Sequence, residues 1–343
     1  MKYISLFSGI GGFELAIHNL FPEAECIGFS EVDNFALQVY QHHFPSHQNL
    51  GDVTQITEET IRKLVEDKGG CDLLVGGFPC QNLSMFSRFG SHGNTDGLQG
   101  PKSGLFWNMI NILGWIVKYN HNKTPFIVIE NNASMKKSDK EVITTTLSQI
   151  MGQTIHVTML NGNEFGVQTR KRLYWTTFAV DTAESKCSQK WDDVLLPINQ
   201  CSDFVGRHCI ENACNKIIST SSNTHVQQFR STSIPNVVKR VTLPTKGKSR
   251  LQQTCSSIEH EKSRTITTSR SNHTMLLDNR GLSKDHFYVR YFEPYELEAL
   301  FFIPKGWVSE HCSKTRCYNL IGNTVRSEEH TSELQSQFRI SYA

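Results

Sequence analysis

The chain lacks any apolar stretch long enough to cross a bilayer as a helix. That excludes a helical membrane protein. No signal-peptide pattern is visible at the amino terminus, so the expected location is the cytoplasm, or the nucleus if the source is eukaryotic. None of the ten cysteines falls in a Cys-x-x-Cys pair, which removes the strongest thiol signature of a zinc or disulfide-exchange site. Cys209 and Cys214 with His208 and His225 are too loosely spaced to read as zinc ligands, and no metal is expected. Scattered thiols fit a reducing, intracellular setting. Excess charge is also missing: the formal net charge is +2 over 343 residues. By itself that balance does not argue for nucleic acid. Its distribution says more, because residues 207–290 hold many Arg and Lys and few acids. The length allows one large α/β domain and a smaller companion.

What is present begins with Gly76-Gly77-Phe78-Pro79-Cys80-Gln81 after the apolar run Cys71-Asp72-Leu73-Leu74-Val75. The run predicts a short buried strand, and Gly-Gly and Pro punctuate its end. Cys80 then sits on a stiff loop at the carboxyl edge of a sheet, where open α/β folds bind ligands. A lone cysteine in a turn is ordinarily a small buried hydrophobe. The neighbouring motifs raise this one above that reading.

Tyr3-Ile4-Ser5-Leu6-Phe7 predicts a strand, Ser8-Gly9-Ile10-Gly11-Gly12 a glycine turn and Phe13-Glu14-Leu15-Ala16-Ile17 a helix. This is the first unit of a doubly wound fold, with a turn whose N–H groups can approach a ligand closely. Glu31 ends the next apolar stretch, Cys26-Ile27-Gly28-Phe29, where a carboxylate can accept from ribose hydroxyls. A nucleoside-bearing cofactor follows from the pair. Asp52 is open between a turn or cap residue and an adenine-amino acceptor. Phe126-Ile127-Val128-Ile129 predicts a strand ending in Glu130, a candidate acid or hydrogen-bonding group. Gln168, Arg170 and Arg172 alternate onto one strand face, an arrangement that suits an anionic ligand.

Five motifs occur in order: Phe7-Ser8-Gly9-Ile10-Gly11-Gly12, Pro79-Cys80-Gln81, Glu130-Asn131, Gln168-x-Arg170-x-Arg172 and Gly322-Asn323-Thr324-Val325. Together they resemble the motif series of DNA (cytosine-5) methyltransferases, over roughly residues 1–178 and 288–325. The Pro-Cys-Gln loop and the Gln-x-Arg-x-Arg strand carry the specificity of the match. Ile129 through Trp175 also resembles the corresponding part of the de novo-type vertebrate enzymes. The chain departs at Asn132, where the family usually has Val. It departs again in the late motif, which reads Arg290-Tyr291-Phe292-Glu293-Pro294-Tyr295-Glu296 and supports the fold more than the chemistry.

The resemblance implies a Rossmann-like methyltransferase domain using S-adenosylmethionine and no metal. It implies that Cys80 adds to cytosine C6 as the nucleophile, that Glu130 binds N3 and the exocyclic amine, that Arg172 holds O2, and that Arg170 supports the Cys80 loop. Phe7, Gly9, Gly11, Gly12, Glu31, Asp52 and Pro79 would line the cofactor site, with Asn323 and Thr324 closing it. The partner would be double-stranded DNA, with the target base flipped out. The enzyme would act as a monomer of the restriction-modification, orphan or phage type, with a possible cognate restriction endonuclease.

The implied organisation is a catalytic domain over residues 1–180 and a smaller, mostly β or irregular target-recognition domain over 181–286. A return segment over 287–325 would complete the first domain. The recognition interval is rich in Ser, Thr, Asn, Arg and Lys, which suits phosphate and base-edge contacts. Residues 326–343 resemble the in-frame translation of a short-read sequencing adapter, from Arg326 to Gln335 and again from Ile340 to Ala343. They are expected to be a non-native tail, with native sequence stopping at Val325 and the family's closing helix missing. Removing them would leave a formal charge of +3. Three other readings stay open. A dinucleotide-dependent oxidoreductase leaves the Cys80 loop and the Arg strand unexplained. A binding-only homologue would keep the motifs without activity. A transfer-RNA methyltransferase is a nearer rival, although its Cys-Phe-Thr signature is absent.

Overall fold

In the computed structural model the described residues are 1–79, 98, 104–121, 123–180, 189–202, 204–209, 241–242, 252–257, 274–278, 280 and 286–324. Cys80, the tail 326–343 and most of the expected recognition interval lie outside them, as does any helix after Val325.

The chain divides into two units. The first comprises residues 1–161, 171–186 and 324–343, and the second 162–170 and 187–323. The expected return segment 287–325 therefore falls in the second unit as far as Asn323.

The first unit is built on a six-stranded sheet. Its strands are β1 (Lys2–Leu6), β2 (Glu25–Ser30), β3 (Leu73–Gly77), β4 (Phe126–Asn132), β5 (His156–Asn161) and β6 (Lys171–Thr176). They lie in the order β2-β1-β3-β4-β6-β5. The first four are mutually parallel, and β6 runs antiparallel to β4 and β5. This is the doubly wound, Rossmann-like α/β class that the motifs predict. The chain leaves β1 for β2 on one side and returns to β3 on the other, so the sheet order reverses at β1. Ligands bind outside the carboxyl ends at such a switch point.

The connecting helices are α1 (Gly12–Leu20), α2 (Asn34–His43), α3 (Glu58–Lys68), α4 (Leu105–Tyr119) and α5 (Lys137–Met151). Asp33 caps α2 by accepting from the N–H groups of Phe35 and Ala36, and Thr57 caps α3 by accepting from Thr60 N–H. Both are short oxygen side chains satisfying orphan amides of a first turn. Gly69 ends α3 and Gly152 ends α5, each in the left-handed conformation that glycine adopts at no cost. The strands run through the core: Ile4, Leu6, Leu74, Ile127 and Ile129 pack with Phe106, Met109, Ile112 and Ile116 of α4, all fully buried. Continuous apolar runs of this kind mark strands covered on both faces.

Two strand boundaries move relative to the sequence prediction. β3 starts at Leu73, because Cys71 N–H is taken by the Asn120 side chain and the Asp72 carboxylate by Lys2 N–H. It runs on through Gly76 and Gly77, which pair with Leu6 and Glu130. β4 likewise continues past Glu130 to Asn132.

The second unit holds a five-stranded sheet of β7 (Phe204–Cys209), β8 (Val241–Thr242), β9 (Gln252–Ser257), β10 (Thr274–Asp278) and β11 (His286–Arg290), in the order β7-β11-β10-β9-β8. Arg290, at the end of β11, is fully buried. Its Nε donates to Asp278 at 2.9 Å, and its Nη1 and Nη2 donate to the two carboxylate oxygens of Glu296 at 2.7 and 2.9 Å. Glu296 also accepts from Glu293 N–H and Leu196 N–H. The helix Pro294–Leu300 opens with proline at its first position and a reciprocal Glu293/Glu296 capping box. Arg280 also pairs with Asp278 at 2.8 Å, so two cations face two carboxylates and the late motif welds a strand to a helix through a compensated ion cluster.

Candidate active site

Parallel strands deliver their following loops to the same edge of the sheet. Leu6 lies level with Ser30 and with Gly76, and Gly77 lies level with Glu130. The glycine turn after β1, Glu31 after β2, Phe78 and Pro79 after β3, and Glu130 within β4 therefore share one edge. Cys80 follows Pro79 directly but lies outside the described residues.

The turn after β1 is backbone-driven. Ser8 N–H donates to Ser30 C=O at 3.1 Å, and Gly11 N–H to Ser8 C=O at 3.0 Å. Gly9 and Gly11 have φ of +57° and +88°. At Gly11 a Cβ would strike the Phe44 ring at 2.7 Å, so glycine is demanded twice over. Phe7 has φ of +57° although it carries a side chain. Left-handed backbone at a bulky residue is strained and concentrates at ligand sites. The sequence gives no signal for it.

Glu31 binds the turn to the end of β2. One carboxylate oxygen accepts from Gly9 N–H at 2.8 Å, and the other from Val32 and Asp33 N–H, both at 2.8 Å. That uses three of about four acceptor positions on an ionised carboxylate. Asn49 bridges the Glu31 backbone to Gly51, and Ser30 Oγ donates to Gly51 C=O. Asp52 is exposed and accepts from Thr54 N–H at 2.8 Å, a turn-stabilising contact. A Cβ built on Gly9 or Gly51 would meet nothing within 4 Å. Open backbone flanks a carboxylate here, which fits a nucleoside whose ribose hydroxyls donate to that carboxylate.

Glu130 is buried, and its Oε1 lies 2.7 Å from Nε of Arg172. Each of these side chains retains 12% of its exposure. A Cβ on Gly77 would come within 2.9 Å of the other Glu130 oxygen. Two features escaped the sequence reading. Gly77, taken there as punctuation, is a strand residue against which the carboxylate lies. Asn131 is buried and donates from Nδ2 to Phe78 C=O at 2.9 Å, while its Oδ1 accepts from Asn132 N–H. It ties β4 to the first residue of the Cys80 loop. Its only sequence signal is its place beside Glu130.

The three residues of the predicted Arg strand do not share an element. β6 begins at Lys171, so Arg172 belongs to the first unit, whereas Gln168 and Arg170 precede the strand and belong to the second. Arg170 is buried, with its guanidinium 5.1 Å from the centre of the Phe301 ring. Gln168 is fully buried, and among the described residues its amide has no hydrogen-bond partner. Asn323 ends the helix Lys314–Asn323 exposed, and Thr324 is buried. The first unit therefore gathers Phe7, Gly9, Gly11, Gly12, Glu31, Asp52, Pro79, Glu130 and Arg172. Arg170 and Asn323 sit in the second unit. Among the described residues no group of three or more His, Cys, Asp and Glu could hold a metal ion, and no helix is long and apolar enough to cross a membrane.

The family model described as C-5 cytosine-specific DNA methylase matches residues 1–328. Among curated proteins the chain is 32% identical over 181 residues to the orphan methyltransferase M.SPRI of Bacillus phage SPR, covering 51% of this chain and 37% of that one. It is 30% identical over 186 residues to the type II methyltransferase M.HhaI of Haemophilus parahaemolyticus, covering 53% of this chain and 50% of that one. The aligned part spans half or less of these relatives' length. Among solved structures, the S. pombe Dnmt2 methyltransferase superposes with a TM-score of 0.67 at 14% identity, covering 100% of both chains. The Entamoeba histolytica methyltransferase EhMeth gives 0.69 at 16%, covering 100% of this chain and 99% of that one. At such identities the structural likeness speaks for the fold.

Proposed function

Because this chain belongs to the C-5 cytosine-specific DNA methylase family, we propose that it transfers a methyl group from S-adenosylmethionine to C5 of a cytosine in double-stranded DNA. The observation that carries the reading is the Glu130–Arg172 pair across β4 and β6, with Glu130 level with Gly77, three residues before Cys80 in the chain. An oxidoreductase would leave that pair without a task.

Cytosine C5 is a poor nucleophile while the ring is aromatic. The Cys80 thiolate forms a bond to C6, and the electron pair of the C5–C6 double bond becomes available at C5. Glu130 holds N3 and the exocyclic amine as charge moves onto the ring, and Arg172 holds O2. Asn131 keeps the Cys80 loop seated through Phe78. Arg170 supports the Cys80 loop. S-adenosylmethionine, when bound, supplies a methyl group on an electron-poor sulfonium. Gly9 and Gly11 bring backbone close to it, Glu31 takes its ribose hydroxyls, Phe7, Gly12, Asp52 and Pro79 line the site, and Asn323 with Thr324 close it. After methyl transfer a base removes the C5 proton, the C6–sulfur bond breaks, and Cys80 leaves as thiolate. The base must be extruded from the stack to reach Cys80. Residues 181–286 read one target sequence, and the enzyme works as a monomer in a restriction-modification, orphan or phage setting, in the cytoplasm, or in the nucleus if the source is eukaryotic.

The test is methyl transfer from labelled S-adenosylmethionine to duplex DNA, with bisulfite sequencing to report the target. Wild-type protein should also form a covalent adduct with DNA containing 5-fluorocytosine, and Cys80→Ser should do neither while still binding cofactor and DNA. Trapping by Cys80→Ser, or full activity in it, overturns the assignment.

A further inference from the structure

The sulfur atoms of Cys312 and Cys317 lie 3.3 Å apart, in contact. Both belong to the second unit, and neither figures in the methyl-transfer chemistry. Cys312 is half-buried in the turn before the helix Lys314–Asn323, and Cys317 is fully buried in that helix's first turn. Cys312 Sγ also lies 3.3 Å from Val308 C=O, and Cys317 N–H donates to Ser313 C=O at 2.9 Å.

The frame around the pair is rigid. The fully buried Glu298 carboxylate accepts from the N–H groups of Gly306, Val308 and Ser309 and from Ser309 Oγ, at 2.7 to 3.0 Å. Tyr318, next to Cys317, donates its hydroxyl to Phe292 C=O at 2.7 Å. The two thiols are therefore held together by the fold around them. Three other cysteines among the described residues behave differently. Burial pushes Cys26 and Cys71 up to about 12 and Cys201 up to about 11, which keeps them protonated and inert.

We propose that Cys312 and Cys317 form an oxidation-sensitive dithiol, in which Cys312 meets the oxidant and Cys317 resolves it to an intramolecular disulfide. Access selects the order, since Cys312 is the one partly open to solvent. The hydrogen bond from Cys317 holds the Cys312 thiol below the ordinary thiol range and raises that of Cys317. An accessible, acidified cysteine beside a resolving one is the arrangement of redox-responsive pairs. With a peroxide as oxidant, the Cys312 thiolate attacks one peroxide oxygen, the O–O bond breaks, and hydroxide leaves. The product is a sulfenic acid at Cys312. The Cys317 sulfur then attacks the sulfenyl sulfur, its proton is lost, and the hydroxyl leaves as water. Two thiols are oxidised, and one peroxide is reduced to two waters. Closure needs the sulfurs to approach by roughly 1.3 Å, to the normal bond length of about 2.0 Å. The bridge would close a very short loop, so the entropic stabilisation is small and reducing thiols can reopen it.

The experiment exposes the full chain to dilute hydrogen peroxide, quenches it by alkylation, and maps a non-reducing digest by mass spectrometry. Expected is a cross-linked peptide pair joining Cys312 to Cys317, lighter by two hydrogens and split by dithiothreitol. Cys317→Ser should instead accumulate sulfenic acid at Cys312, captured by dimedone, at a rate at least about ten-fold above that of buried Cys71. Cys312→Ser should leave Cys317 unoxidised. The proposal fails if both residues remain alkylatable after peroxide treatment of folded wild-type protein. It also fails if Cys317 oxidises as fast without Cys312 as with it.

Discussion

Gly77→Ala tests whether the position of the Glu130 carboxylate governs the reaction. Gly77 ends β3 opposite Glu130, and a Cβ there would lie 2.9 Å from the carboxylate oxygen, where ordinary contact begins at 3.4 Å. The backbone of Gly77 is not left-handed, so alanine fits it without torsional strain. The clash therefore falls on the end of the Glu130 side chain, which must retreat by about 0.5 Å. Its other oxygen is held 2.7 Å from Arg172, so the pair is displaced together. A misplacement of about 1 Å at a reacting group can cost on the order of 10²-fold in rate. Half that distance scales to a loss of roughly ten-fold, or about 1.4 kcal/mol of barrier.

Stability should move little. The added methyl lowers the entropy of the unfolded chain, worth about 0.5–1 kcal/mol, and that offsets the mild crowding. The assays are initial rates of methyl transfer, cofactor affinity by calorimetry, and thermal melting. The expected pattern is a ten-fold loss of rate with cofactor affinity and Tm nearly unchanged. Glu130→Gln supplies the control, and the double variant should be no slower than Glu130→Gln alone, because both changes act through one carboxylate. Additive losses, or full activity in Gly77→Ala, would refute the reasoning.

Glu31→Ala should weaken S-adenosylmethionine binding by about 1–3 kcal/mol and lower Tm as well, because three backbone N–H groups lose their acceptor; unchanged affinity by calorimetry would remove Glu31 from the cofactor site. Arg290→Met should cost about 3–5 kcal/mol in urea unfolding, because Glu296 would remain buried without its cation while Asp278 keeps only Arg280; a loss under about 1 kcal/mol would show that the cluster is not a fold determinant. Glu14 is fully buried, and desolvation raises its carboxyl from 4.5 to about 7. Folding thus favours the protonated form: the stability it contributes is whole below pH 4.5 and is lost as pH rises through about 7. Glu14→Gln should flatten that decline and be more stable than wild type above pH 7 by about 3 kcal/mol, and parallel wild-type and variant stability curves from pH 4 to 8 would contradict it.

The parts of the fold legible in the sequence are those where local signals agree. β1 mixes Tyr3, Ile4 and Leu6 with polar residues before a glycine turn, β3 and β4 open as apolar runs that end at glycine or acid, and their order with α1 gives the doubly wound class from the sequence. What was not legible depends on long-range contacts. Gly77 is explained only by a side chain on the next strand, and Asn131 only by a carbonyl 53 residues away. The Gln168-x-Arg170-x-Arg172 alternation predicts one strand face, yet the strand begins after Arg170, because Gly162 N–H pairs with Arg170 C=O and folds that segment back on itself. Period-2 patterning tells which side chains share a face and is silent about where pairing starts.

Buried carboxylates separate into two kinds by how their hydrogen-bonding capacity is used. Glu296 and Glu298 are fully buried, and each accepts several hydrogen bonds from elements that the fold itself brings together. Moving either oxygen would break the unit, so such groups have no latitude to follow a substrate through a reaction. Glu130 is different in kind. It stands at the sheet edge and keeps part of its side chain exposed, with one oxygen 2.7 Å from Arg172 and the other facing the bare Cα of Gly77. In the proposed reaction a carboxylate paired with an arginine at a sheet edge meets the incoming base there. Its charge-assisted hydrogen bonds then transfer to the ring as charge develops there. That difference in place fits the proposed part of Glu130 in the chemistry, whereas Glu296 serves the architecture.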